Sequence, residues 1–362
     1  MEKWTERADR PVTLEGVGSG SPVAELIGRD GGRADGNAVA ENAEAVVKAD
    51  EFAPERMMRA SRTTPSGGWR RLVWRVSGGL IHPAPSAQEV RERELIARAK
   101  APIRGCRVVA VVSRKGGIGK TTTTLELGHT FATHRGDRVI ALDANPDAGS
   151  LGYRVRRETQ ATVTQLLAEA NGLDRYCDVR AFTSQAPTRL EVLASDDDPH
   201  ITEAFGEADY RRVMGALQRH YNLILVDTGT GVLDSATQGI LRMADQLVVC
   251  AATGLDAARV AGSTLDWLDE HHYGDLVREA VVVLNQVRGS TGQMMDVKLL
   301  ERHFGRRCRS VIRVPWDVHL SDGAETTLDE LEPSTRDAYL QLAAEVAQGF
   351  GARAGTQAEV AR

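Results

Sequence analysis

At 362 residues the chain is long enough for one large hydrophobic core with additional segments, and its 42% hydrophobic and 26% charged content is that of a soluble globular protein. A formal net charge of -5 excludes a surface that is basic throughout, although a local patch can still meet phosphates or lipid headgroups. No run reaches the roughly 18 apolar residues of a membrane-spanning helix, and the N-terminus lacks the basic-then-apolar order of a secretory signal, so the expected compartment is the cytoplasm.

Residues 1–65 are rich in Gly, Ala, Glu, Asp and Arg and show no sustained period, which predicts a disordered polar extension. Residues 66–103 form a basic amphipathic segment and a linker helix. Between Arg56 and Ala87 there is no acidic residue, while Arg56, Arg59, Arg62, Arg70, Arg71 and Arg75 are present. Trp69, Leu72, Val73 and Val76 fall at i, i+3, i+4 and i+7, which puts an apolar stripe on one helical face with the arginines off it. Three uses of that stripe stay open: packing on the following domain or its dimer mate, lying on an anionic membrane surface, or meeting nucleic acid or a protein partner. Ser86 then caps a charged helix that runs toward Pro102.

From Cys106 onward, short unbroken apolar runs alternate with helical segments: CRVVAVVS, RVIALD, LEVLAS, NLILVDT, QLVVCAA, EAVVVLN and SVIRVPW. Runs this short and continuous suit strands buried on both faces, and so predict an α/β, doubly wound, mainly parallel sheet over residues 104–350. Ligands of such sheets sit beyond the carboxyl ends of the strands, which is where Ser113, Asp143, Asp227, Asn285 and Asp317 fall. The scattered Cys106, Cys177, Cys250 and Cys308 read as buried apolar residues, and His271 and His272 as an exposed helix end. Residues 292–308 read as a packed helix with a basic end, and 351–362 as a flexible polar tail.

After the first strand comes SRKGGIGKTTTT, from Ser113 to Thr124. Glycines that open a helix let backbone N–H groups surround a polyphosphate, the helix N-terminus adds its dipole, and Lys120 can reach the β- and γ-phosphates. Thr121 is placed to ligate Mg²⁺. Arg114 stands where the ordinary P-loop has its first glycine, and Lys115 is a second lysine which that motif does not predict.

The stretch Lys115, Gly116, Gly117, Ile118, Gly119, Lys120, Thr121, Thr122 resembles the deviant Walker A of MinD/ParA P-loop ATPases. The resemblance implies ATP and Mg²⁺ as cofactors and an ATP-dependent homodimer, in which Lys115 reaches the partner subunit's phosphates. It further implies that Asp227 binds the Mg²⁺ shell through water, before a mobile segment containing Gly229 and Gly231, and that Asn285, Pro315 and Asp317 surround the adenine. The family's switch I usually reads D-x-D, and this chain has Asp143 and then Asn145. An amide can position water but cannot act as a base, so slow hydrolysis is expected, with Asp147 as a possible substitute carboxylate. The order of GWRRLVWRVSGGL, RERELIARAKAPIRG, the P-loop, RGDRVIALDANPD and PWD resembles actinobacterial MinD-like ATPases associated with type VII secretion. That likeness implies an ATP switch with a secretion-machinery or membrane-associated partner, peripheral at the inner face of the membrane. A ParA-like chromosome or plasmid partition or septum-positioning ATPase, binding DNA nonspecifically as a partition ATPase, and a nucleotide-binding adaptor without appreciable hydrolysis are the alternatives.

Overall fold

The computed structural model describes residues 72–73, 75–77, 84–145, 149–196, 205–231, 235–287, 296–321 and 323–351. The expected extension over 1–65, Trp69 and Asp147 lie outside these residues, as does the tail beyond 351. Within the arginine-rich segment Leu72 and Val76 are exposed, so those two positions of the stripe are not packed away.

Helix α1 (Ala87–Ala99) starts where Ser86 forms a capping box with Glu89: the Glu89 N–H donates to Ser86 Oγ at 3.1 Å, and the Ser86 N–H to Glu89 Oε2 at 2.8 Å. Its far end is held by the buried Arg135, whose Nη1 donates to the carbonyls of Ala99 and Ala101 at 2.7 and 2.9 Å. Those groups would otherwise be orphaned at the helix terminus.

The sheet consists of β1 (Arg107–Val112), β2 (Val139–Ala144), β3 (Ser184–Gln185), β4 (Glu191–Leu193), β5 (Leu223–Thr228), β6 (Gln246–Ala252), β7 (Val281–Val287) and β8 (Ser310–Pro315). Their order is β3-β4-β2-β5-β1-β6-β7-β8, and every pairing is parallel except that of β3 with β4. All seven expected strands are present; β3, at two residues, is too short to leave a hydrophobic pattern.

Alternate residues of each strand enter different cores. Val108, Ala110 and Val112 face one, together with Val213 and Leu217 of α5 (Glu207–Gln218). Val109 and Val111 face the other, against Phe131 of α2 (Lys120–His134) and Leu342 of α11 (Pro333–Gln348). Two apolar faces per strand are what a sheet wound on both sides requires. The remaining helices are α3 (Val163–Glu169), α4 (Tyr176–Arg180), α6 (Ser235–Met243), α7 (Leu255–Glu270), α8 (Gly274–Glu279), α9 (Val297–Phe304) and α10 (Val318–Ser321).

Threonines are poor helix formers, yet α2 opens with four of them and is buried along most of its length. Thr124 and Thr130 return their hydroxyls to the carbonyls of Lys120 and Glu126 at 3.1 and 2.7 Å, so their polarity is absorbed locally. Gly128 lets α2 close on the sheet, because a Cβ there would stand 2.9 Å from Leu190. Of the cysteines, Cys250 and Cys308 are buried and Cys106 half-buried. Cys177 is exposed, against expectation, because the five-residue α4 buries only Val179.

Candidate functional site

β1 feeds directly into the glycine-rich loop. Gly117 and Gly119 take φ of 73° and 88°, the left-handed region that side chains disfavour, and a Cβ on Gly119 would stand 2.9 Å from Asn285 Nδ2. The loop is braced at its start by the Lys115 N–H, which donates to Ser113 Oγ at 3.1 Å. No side chain caps the N-terminus of α2, which leaves its first-turn amides and the positive end of its dipole for a ligand.

Lys120, the first residue of α2, is buried and forms no ion pair among the described residues, although its charge acts on Asp227 and Asp143. Lys115 is half-exposed, likewise without an ion pair among them. Thr121 Oγ1 donates to Asp227 Oδ2 at 2.6 Å, and Thr124 Oγ1 approaches Oδ1 at 3.5 Å. Asp227 and Asp143 are register partners on β5 and β2, and both are buried. Burial pushes both carboxyls above their ordinary range, and for Asp143 the Asp227 charge adds to it. A cation would relieve that repulsion. Among the described residues no cluster of three or more His, Cys, Asp or Glu could hold a metal, so Mg²⁺ here would need oxygens from water and phosphate beside Thr121 and the carboxylates.

Asp143 also organises the segment after β2. It accepts from the backbone N–H groups of Asn145 at 3.1 Å and Leu151 at 3.0 Å, while the Gly149 N–H donates to Ser195 Oγ at 3.1 Å. A Cβ on Gly149 would overlap both Asp143 and Ser195. Asn145 is half-buried at the end of β2, beside the carboxylate pair.

A cavity of about 470 Å³ continues from Gly117, Gly119 and Thr122 to Asn285, Pro315 and Asp317, so the structure gathers the loop and the expected base-side residues around one space. Asn285 Nδ2 is engaged with the Ile118 carbonyl at 2.8 Å and Thr123 Oγ1 at 3.2 Å. Asp317 accepts from the Glu332 N–H at 2.9 Å and the His319 N–H at 3.0 Å, with His319 Nδ1 also at 3.0 Å. Burial raises its pKa, but these hydrogen bonds outweigh burial and hold the carboxyl below its usual value. On α2, Glu126 Oε1 accepts from Thr326 Oγ1 at 2.7 Å while Oε2 has no partner, and burial pushes this carboxyl up to about 7.

Arg154, Trp316, Gly323 and Tyr339 line the same cavity and were not picked out from sequence. They come from three separate chain segments, and only the PWD motif, which contains Trp316, offered a local signal.

Residues 109–329 match the family described as the CobQ/CobB/MinD/ParA nucleotide binding domain. The ESX-1 secretion-associated protein EspI of Mycobacterium tuberculosis (strain ATCC 25618 / H37Rv) is 40% identical over 285 residues, which cover 78% of this chain and 42% of EspI. The chain therefore spans about two-fifths of that relative's length. Among solved structures, a ParA family ATPase from Chlorobium tepidum TLS is similar at 18% identity and a TM-score of 0.57, covering 66% of this chain and 98% of that one. The septum site-determining protein MinD from Pyrococcus horikoshii OT3, complexed with Mg-ADP, is similar at 18% identity and a TM-score of 0.53, covering 69% and 99%. At such identities the structural likeness speaks for the fold.

Proposed function

The chain belongs to the CobQ/CobB/MinD/ParA nucleotide-binding family, whose MinD/ParA members are usually ATPases, and on that premise we propose that it is an ATP-dependent dimerisation switch that hydrolyses ATP slowly. The observation that carries this reading is the 2.6 Å bond from Thr121 on the phosphate-loop helix to Asp227 at the end of β5. It supports a Mg²⁺ site beside the terminal phosphates that a P-loop nucleotide would carry there. Lys120 supplies charge to the β- and γ-phosphates, and the Gly116–Thr122 backbone cradles them. Thr121 and Asp227 hold Mg²⁺, directly and through water. Asn285, Pro315 and Asp317 form the wall against which adenine rests.

Lys115 reaches the triphosphate of a second copy, so the bound nucleotide adds a cross-subunit attraction and makes dimerisation ATP-dependent. Asn145, with Asp147 two residues on, orients the attacking water; an amide there supports a slow rate, since phosphoryl transfer depends more on positioning than on base strength. The likeness to EspI, an ESX-1 secretion-associated protein, supports service to a type VII secretion machine, and the proposed switch acts there through a protein partner. Export of type VII substrates that continues undiminished in a host deleted for this chain would remove that assignment.

The switch itself is tested by sedimentation of the full chain with no nucleotide, with ADP and with ATP. Dimers are expected only with ATP; Lys120→Ala loses nucleotide binding, and Lys115→Ala binds ATP yet stays monomeric. Lys115→Ala dimers as abundant as those of the parent chain would overturn the model, and intact ATP affinity with no turnover in the parent would favour the adaptor reading.

A further inference from the structure

Arg154 ends the short helical turn Leu151–Arg154 that follows the Asp143 segment, and none of the motifs above uses it. Its Nη1 donates to Thr122 Oγ1 at 2.8 Å, and its Nη2 lies over Gly323, where a Cβ would stand 3.0 Å away. The guanidinium is half-buried and has no ion pair among the described residues. It carries five N–H donors and cannot shed its charge; the Asp227 and Glu126 charges act on it but neither pairs with it directly, so partial burial favours an anion brought into contact.

Thr121 and Thr122 are consecutive on α2, about 100° apart around its axis. They turn to different partners: Thr121 to Asp227, and Thr122 to Arg154. The Asp227 side is where the cation and terminal phosphates belong under the reading above. Arg154, although the Asp227 charge acts on it, lines the cavity that runs from Thr122 to Pro315 and Tyr339, between the loop and the wall where the base belongs. An anion seated on the free amides at the start of α2, and displaced toward that wall, faces the guanidinium.

We propose that Arg154 binds the α-phosphate of the nucleotide, as a second cation of the same subunit beside Lys120. This rests on the nucleotide reading and deepens it. Because the Leu151 N–H at the start of the same turn is held by Asp143 at 3.0 Å, the contact also ties the segment after β2 to nucleotide occupancy.

Calorimetric titration of the full chain with ADP, ATP and adenosine, each with Mg²⁺, tests the assignment in the parent, Arg154→Gln and Arg154→Lys. Arg154→Gln is expected to weaken ADP and ATP alike by roughly tenfold, as loss of a charge-assisted hydrogen bond implies, with Arg154→Lys recovering part of it. The deciding quantity is the ratio of ADP to adenosine affinity, which a phosphate contact lowers about tenfold. A ratio that does not change, even if the variant melts lower, overturns the proposal. So does a loss confined to ATP, which would put the guanidinium on the terminal phosphate. A parent chain that binds neither ADP nor ATP removes the underlying nucleotide reading, an outcome distinct from a parent that binds and a variant that binds equally well.

Discussion

At the Asp143 and Asp227 end of the cleft, two buried carboxylates stand side by side with raised pKa values, and the nearby Lys120 is unpaired among the described residues. At the Asn285 and Asp317 end, the buried polar atoms are already occupied: the Asn285 amide by the phosphate loop, and the Asp317 carboxylate by the backbone and ring around His319 and Glu332. Both ends are hydrogen-bonded, but the first keeps two like charges close at raised pKa while the second holds its one carboxyl below the ordinary value. Under the proposed reading, neighbouring residues of one cleft serve different purposes, ligand capture at the first end and shape at the second. Substitutions at the first end should therefore cost activity, and at the second, stability.

The sharpest test is Asp227→Asn. Turnover should fall by on the order of a hundredfold or more, because the Mg²⁺ shell loses a charge where phosphate charge must be neutralised. The nucleotide-free melting temperature should hold or rise, since a buried like-charge pair has been relieved. A clear fall in that temperature would break the contrast. Asp317→Ala should do the reverse and destabilise the nucleotide-free chain by about 2 kcal/mol, as buried N–H groups lose their acceptor; denaturant unfolding measures this. An unaltered midpoint would show that the base side is less finished than its hydrogen bonds imply.

A pH-dependent effect concerns Glu126, a residue of α2 that lines neither end. The groups acting on it are Thr326, Asp317, Arg154 and Glu330, and its charge in turn acts on Tyr339. Its folded pKa, about 7, exceeds the ordinary value of 4.5, so the folded state binds the proton more tightly than the unfolded one. Stability from this group is full below about pH 4.5 and is lost as pH rises through 7. Glu126→Gln should remove that slope and be the more stable protein at pH 8, with the advantage gone near pH 4. The raised Asp143 acts in the same direction and His129, lowered to about 4 by burial, in the opposite one. Both are present in either protein, so the difference between the two unfolding curves isolates Glu126; parallel curves would contradict the assignment.

The strands were legible because sheets covered on both faces need continuous apolar runs, and all seven such runs form strands. The phosphate loop was legible because its glycines, lysines and threonines are consecutive. Asn285 and Asp317 could be placed at strand ends, but their hydrogen bonds could not be read, because those depend on Ile118, Thr123, His319 and Glu332 arriving from elsewhere in the chain. Arg154 left no signal at all. Its setting is made by Thr122 and Gly323, which meet only in the folded chain, and an arginine in a polar stretch looks like any solvated one.

Helix α2 begins at the phosphate loop and ends at Arg135, the side chain that grips the carbonyls closing α1. One stiff rod, packed between the sheet and α11, thus has the glycine-rich loop at one end and, at the other, one of the anchors of α1, which is also tied to α11 through Arg91 with Asp337 and Arg98 with Glu345. A pull on α1 would be shared between α11 and the Arg135 clamp, and only the part taken by the clamp would travel along α2 to Lys120 and the glycine-rich loop.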